Sequence, residues 1–161
     1  MSAPAGNARD VVDVLIKRGQ TLAVAESLTG GLLAATLVEV PGVSKTFRGG
    51  LVVYATDLKA TLAGVDPDLL ARRGPVDREV AVQLARGAAV TCGADWGLGT
   101  TGVAGPDPRD GVTVGTVFVG VAGPGGYREV RGLRLDGDRA TIRAQAVSAA
   151  LKLLAEGLDK G

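Results

Sequence analysis

Residues 21–40 read T-L-A-V-A-E-S-L-T-G-G-L-L-A-A-T-L-V-E-V, and how this stretch divides decides the fold. Thr21–Ala25 is a short apolar run that reads as a buried strand. Leu32–Val40 reads as a helix stopped by Pro41-Gly42. Between them, A-E-S-L-T-G-G at 25–31 places oxygen-bearing side chains and two glycines where a strand ends and a helix begins. A strand followed directly by a helix is the opening of an α/β unit.

The same logic extends in both directions. Val11, Val12, Leu15 and Ile16 recur at helical spacing ahead of Gly19. Leu51–Tyr54 reads as a strand. Thr56 or Asp57 can cap a short helix through Leu62, ended by Gly64, and Asp68–Arg72 adds a turn. Asp77 caps a longer helix with Val80, Leu84 and Ala88 on one face. Strands follow at Trp96–Thr100, Val114–Val121 and Tyr127–Leu135, the last two joined by Gly123-Pro124-Gly125-Gly126. A final helix begins near Asp138, with Ile142, Ala146, Ala149 and Leu153 on its apolar face. Alternating helices and strands that finish in a hairpin predict a single domain over residues 1–161. Its expected form is a three-layer α/β/α sandwich with a mixed, mostly parallel sheet.

Composition narrows the chemistry. Hydrophobic residues make up 46% of the 161 positions but aromatics only 3%, so the core is built from small aliphatic side chains. The net charge of +1 gives nucleic-acid binding no electrostatic support. No apolar run is long enough to span a membrane, and the N-terminus lacks the pattern of a secretory signal. A single cysteine, Cys92, forms no internal disulfide, so the expected compartment is the reducing cytoplasm. The chain has no histidine. That removes Ser-His-Asp triads, Cys-His pairs and His-based metal sites, and no cofactor or metal is expected. Carboxylates, Lys, Arg, Ser, Thr, Tyr and backbone amides remain.

Residues 97–102, G-L-G-T-T-G, match the dinucleotide pattern G-x-G-x-x-G. That fingerprint requires a helix to start at the glycines, and Val103-Ala104-Gly105-Pro106-Asp107-Pro108 cannot continue one. The match is rejected. Thr100–Pro106 reads instead as a glycine-rich loop leaving a strand end, either an anion-facing nest or a flexible connection.

The turn at 25–31 admits three readings. Ser27 or Thr29 can be a helix N-cap. The turn can hold an anion against the helix N-terminus, with Gly30 and Gly31 leaving the backbone unshielded. Or Ser27 can be a nucleophile. Without histidine its base would be a lysine, and Lys59 is the best placed. In the first turn of a helix, Lys59 would face the positive end of the dipole, which disfavours its ammonium form; the competing reading is an exposed surface lysine. Arg139 and Arg143, one turn apart at the start of the last helix, suit an anion docked between them, or are a solvated pair.

Five segments carry a resemblance: A-E-S-L-T-G-G, P-G-V-S-K-T-F-R-G-G-L-V-V-Y-A-T-D-L-K, T-G-V-A-G-P-D-P, G-T-V-F-V-G-V-A and G-D-R-A-T-I-R. In this order, from about Val11 to Leu154, they resemble the CinA C-terminal domain family of nicotinamide-nucleotide amidohydrolases, in a stand-alone form. The resemblance implies hydrolysis of the carboxamide of nicotinamide mononucleotide to nicotinate mononucleotide and ammonia. It implies Ser27 as nucleophile, Lys59 as base, and Tyr54 and Thr101 as further catalytic residues. Substrate-binding positions would be Thr29, Gly30, Gly31, Gly102, Ala104, Gly105, Arg139 and Arg143. A homodimer or higher oligomer is expected by the same analogy. The chain departs from the family at Leu28, where most members have cysteine, and at Asp107-Pro108-Arg109-Asp110-Gly111, which replaces a glycine-rich loop. The alternatives are a non-catalytic nucleotide-binding or competence-related module, or an amidase for another small amide.

Overall fold

The computed structural model describes residues 7–160. Eleven regular elements follow one another: α1 (Ala8–Arg18), β1 (Leu22–Glu26), α2 (Leu32–Val38), β2 (Phe47–Val52), α3 (Thr56–Thr61), α4 (Pro67–Arg73), α5 (Arg78–Cys92), β3 (Trp96–Gly102), β4 (Thr116–Ala122), β5 (Arg128–Arg134) and α6 (Arg139–Lys160). The strands form one sheet in the order β2-β1-β3-β4-β5. β1 pairs in parallel with β2 and β3, whereas β3–β4 and β4–β5 are antiparallel. The mixed sheet is as expected, with its parallel and antiparallel ladders equal in number.

β1 is buried along its whole length because it lies inside the sheet with helices on both faces. Leu22 and Val24 face a large apolar cluster with α1, α2 and α6, including Leu15, Leu33 and Ile142. Ala23 and Ala25 face a smaller one with α3, α4 and α5, including Leu69, Val80 and Leu84. Gly19 ends α1 with φ 66°, and Asp77 accepts from the amides of Glu79 and Val80 at the start of α5, both as read from the sequence, whereas the Asn7 cap of α1 was not read from it. Asp138 accepts from the amide of Thr141 at 2.9 Å where α6 begins. The expected cap of α3 is absent: its N-cap position is Ala55, with no side-chain hydrogen bond.

The rejected dinucleotide motif has a structural role. Gly97 and Gly99 are interior residues of β3 and lie directly under α5. A Cβ on Gly97 would sit 1.8 Å from the Ala85 carbonyl oxygen. Helix backbone packs here where a side chain would otherwise stand. Gly97→Ala is therefore expected to lose about 3 kcal/mol of stability, since overpacking forces α5 off the sheet. A denaturant midpoint unchanged from wild type would refute this tight approach.

The connections leave the parallel strands in opposite directions. From β1 the chain passes through α2 on one face of the sheet; from β2 it passes through α3, α4 and α5 on the other. Such a divergence opens a crevice beyond the carboxyl ends of adjacent strands. Glu26 pairs with Val52 at the ends of β1 and β2, so Ser27 and Val53 enter that crevice side by side.

Candidate active site

Among the described residues Lys59 is the largest side chain to be fully buried, with 1% of its surface exposed. This excludes the surface-lysine reading. Its Nζ donates to Ser27 Oγ at 2.9 Å, to the Val53 carbonyl at 2.8 Å and to the Tyr54 carbonyl at 3.1 Å. Three acceptors match the three N–H bonds of an ammonium. After loss of one proton the two carbonyls keep the remaining N–H bonds, and the lone pair is left facing the serine hydroxyl. The same geometry therefore serves both protonation states, as a proton-shuttling base requires.

Burial pushes the Lys59 ammonium down to about 8, with the nearby Arg109 cation adding to the effect. The physical cause differs from the sequence expectation. In a six-residue helix Lys59 falls in the last turn, so the dipole does not lower it.

The turn 25–31 also differs from expectation. Neither Ser27 nor Thr29 caps α2; the N-cap position is Gly31, with φ 102° and no side-chain bond. The anion at the helix N-terminus is the protein's own. Glu26, completely buried, accepts from the amides of Leu33 at 2.9 Å and Ala34 at 3.0 Å. The carboxylate occupies the donors that a ligand phosphate would need and anchors the residue next to Ser27. The Gly30 amide is spent on the Ser27 carbonyl at 3.1 Å. Among the described residues, no acceptor takes the amides of Leu28, Thr29 or Gly31. Those three are the donors left for an oxyanion beside Ser27.

Thr100 fixes the backbone of the serine. The Ser27 amide donates to the Thr100 carbonyl at 3.1 Å and lies 3.3 Å from its Oγ1, which also pairs with Thr29 Oγ1 at 2.8 Å. Thr29 is fully buried, so its hydroxyl serves this link and not a ligand. Thr101 points to the opposite sheet face and donates to the Pro75 carbonyl at 2.7 Å. Its hydroxyl proton is thus committed to backbone.

Arg143 does not stand free beside Arg139. It reaches back to the serine turn, donating from Nε to the Leu28 carbonyl at 2.9 Å and from Nη2 to the Thr29 carbonyl at 3.0 Å. It braces that turn, which corrects the expectation of two arginines sharing one anion. Arg139 donates to the Gly105 carbonyl and approaches Tyr54 Oη at 3.4 Å. Tyr54, 45% exposed, forms the outer wall of the site, and its phenol is lowered by Arg139 first, with Arg109 adding to the effect. Ala104 and Gly102 have packing roles: Ala104 lies in the larger core cluster, and Gly102 admits the backbone of β4. Gly105, with φ 85°, presents its carbonyl to Arg139.

Sequence reasoning singled out Ser27 and Lys59, which the fold brings into contact, but missed Glu26 and Thr100. A hint for Glu26 exists: a lone carboxylate ends a fully apolar strand shortly before a helix. The resemblance pointed to Thr101, and nothing in the sequence singled out Thr100. Among the described residues, no three Asp, Glu or Cys side chains converge as a metal-holding set, and no helix is long and apolar enough to cross a membrane.

An α/β domain with a buried serine–lysine pair at its topological switch point defines the class. The family follows from comparison: the CinA C-terminal domain model matches residues 5–158, and the chain belongs to that family. A CinA-like protein of Frankia casuarinae is 52% identical over 144 residues, covering 89% of this chain and 33% of that protein. A CinA-like protein of Myxococcus xanthus is 44% identical over 151 residues, covering 92% of this chain and 35% of its own length. The chain thus spans about a third of the length of these curated relatives. Among solved structures, a competence-damaged protein (CinA) superfamily protein of Klebsiella pneumoniae superposes with a TM-score of 0.90 at 32% identity, covering 96% of each chain. A competence/damage inducible protein of Agrobacterium tumefaciens gives 0.86 at 32% identity, covering 99% of each.

Proposed function

We propose that this chain hydrolyses the carboxamide of nicotinamide mononucleotide to nicotinate mononucleotide and ammonia. The observation that carries this reading is the buried 2.9 Å contact between Lys59 Nζ and Ser27 Oγ. Neutral Lys59 takes the hydroxyl proton as Ser27 Oγ bonds to the carboxamide carbon. The amides of Leu28, Thr29 and Gly31 are the donors that steady the oxyanion. As the tetrahedral adduct collapses, the C–N bond breaks and Lys59 returns its proton to the departing ammonia. Water, deprotonated by Lys59, then attacks the nicotinoyl ester; the C–Oγ bond breaks, Lys59 returns the proton to Ser27 Oγ, and the acid is released. Tyr54 walls the ring pocket, and Arg139 binds the 5′-phosphate.

An ammonia-release assay with purified protein tests the reading. Turnover is expected with nicotinamide mononucleotide and not with free nicotinamide, which has no phosphate for Arg139. Absence of turnover with tight mononucleotide binding would favour a non-catalytic nucleotide-binding module, and turnover of both amides a less selective amidase. Arg139→Ala is expected to raise KM about tenfold with kcat little changed, the signature of lost ground-state binding to a charged group. An unchanged KM would remove Arg139 from the phosphate site.

A further inference from the structure

Residues 107–111, where the resemblance implied a glycine-rich loop, form a built element. Arg109 and Val112 form an antiparallel bridge, with the Arg109 amide donating to the Val112 carbonyl at 3.1 Å and the reverse bond at 2.8 Å. Between them, Asp110 and Gly111 both have positive φ, 51° and 77°. Asp-Gly with positive φ at both central positions is the signature of a two-residue hairpin turn of type I′. The loop is thereby a miniature hairpin whose flanking residue is held in register.

That residue is Arg109, and the hairpin delivers it to the active site. Its guanidinium carbon lies 5.6 Å from the centroid of the Tyr54 ring, in a cation–π stack. Arg139 approaches the hydroxyl of the same ring at 3.4 Å. Two guanidinium groups therefore converge on one phenol, whose backbone carbonyl in turn holds Lys59. Among the described residues only Arg73, Arg128 and Arg131 form ion pairs with carboxylates, so an arginine without one is common in this chain. Arg109 and Arg139 have no such partner among the described residues, although Asp107 and Asp110 flank Arg109 in the loop. What sets this pair apart is the positive charge that both bring to one aromatic ring beside a buried lysine. An entering dianion would compensate it, because phosphate oxygens accept from guanidinium groups in forked geometry.

We infer that Arg109, presented by the Asp110-Gly111 hairpin, is a specificity residue that, with Arg139, recognises a phosphate monoester on the ligand. Resting on the mononucleotide reading, this adds a recognition contact that the loop of this chain supplies. Calorimetric titration of wild type, Arg109→Ala and Arg109→Lys with nicotinate mononucleotide and with its dephosphorylated riboside tests it. Arg109→Ala is expected to weaken mononucleotide binding about tenfold and riboside binding less than twofold, since only the former offers a charged acceptor. Arg109→Lys is expected to recover part of the loss, because it keeps the charge without the fork. Equal losses for both ligands, or no loss for either, would overturn the inference. Ammonia release measured on the same samples separates the two conclusions. Arg109-dependent phosphate selectivity without turnover leaves the inference standing and removes the amidohydrolase. Turnover with an Arg109→Ala KM equal to wild type does the reverse.

Discussion

Ser27→Ala is expected to lower kcat for nicotinamide mononucleotide by at least ~10³-fold while the protein stays folded, as loss of a covalent nucleophile does. The change removes one hydroxyl from a site that is 7% exposed. The contacts that set the turn do not use that hydroxyl: the Ser27 amide still reaches Thr100, and Glu26 still caps α2. Lys59 loses one of its three partners and retains both carbonyls. The defect is therefore chemical. Near-normal turnover in this variant would rule out the acyl-enzyme route and leave direct attack by water. The adjacent carboxylate is poorly suited to activate that water, because Glu26 is buried and both its oxygens already accept backbone amides. Melting temperatures of the two proteins, measured in parallel, separate chemistry from folding.

Lys59→Met is expected to cost a similar factor and also to erase a pH dependence. With Lys59 at about 8, kcat/KM of the wild type should rise with an apparent pKa near that value and level off above it. At pH 7 roughly one molecule in ten then carries the neutral amine, against about one in 3,000 for an unperturbed lysine. Burial and Arg109 thus supply most of the neutral amine available at neutral pH, although each neutral amine is a weaker base than an ordinary lysine. A flat profile between pH 6 and about 9 would contradict a lysine base of this kind.

The same shift makes a prediction about stability. A lysine with a lowered folded-state value binds fewer protons in the native protein than in the unfolded chain between about 8 and 10.5. Its penalty is complete below about 8 and is relieved as pH rises toward 10.5. The unfolding free energy of wild type, taken relative to Lys59→Met, is therefore expected to increase across that window. A constant difference, measured by denaturant titration at several pH values, would show that the folded protein does not perturb Lys59.

Much of the fold was legible because it rests on local signals. The apolar runs at 21–25 and 114–121, the prolines and glycines that stop helices, and the Asp77 and Asp138 caps act within a few residues of themselves. The boundaries that shifted are informative. The second strand ends at Val52, two residues before the apolar run does: the Val53 amide still reaches Glu26, but the carbonyls of Val53 and Tyr54 are taken by Lys59. The third continues to Gly102, since pairing with β4 holds a segment that by composition looks like a loop.

The site divides in the same way. The sequence by itself established that, if Ser27 is a nucleophile, a histidine-free chain leaves lysine as its base, and it nominated Ser27 and Lys59. Tertiary structure decided everything that depends on contact between distant segments. Parallel pairing of β1 with β2 brings residues 32 apart in sequence within 2.9 Å. Burial of Lys59 between its own helix and the serine turn, with the Arg109 cation adding to it, tunes the lysine. Glu26 fills the helix N-terminus that the sequence left open for a ligand, Arg143 turns back to brace Leu28 and Thr29, and Thr100 holds the serine amide while Thr101 faces the other way. The reason is physical: a propensity or a cap is a short-range quantity encoded in neighbouring residues, whereas desolvation and hydrogen-bond partnership belong to whichever groups the packed chain brings together.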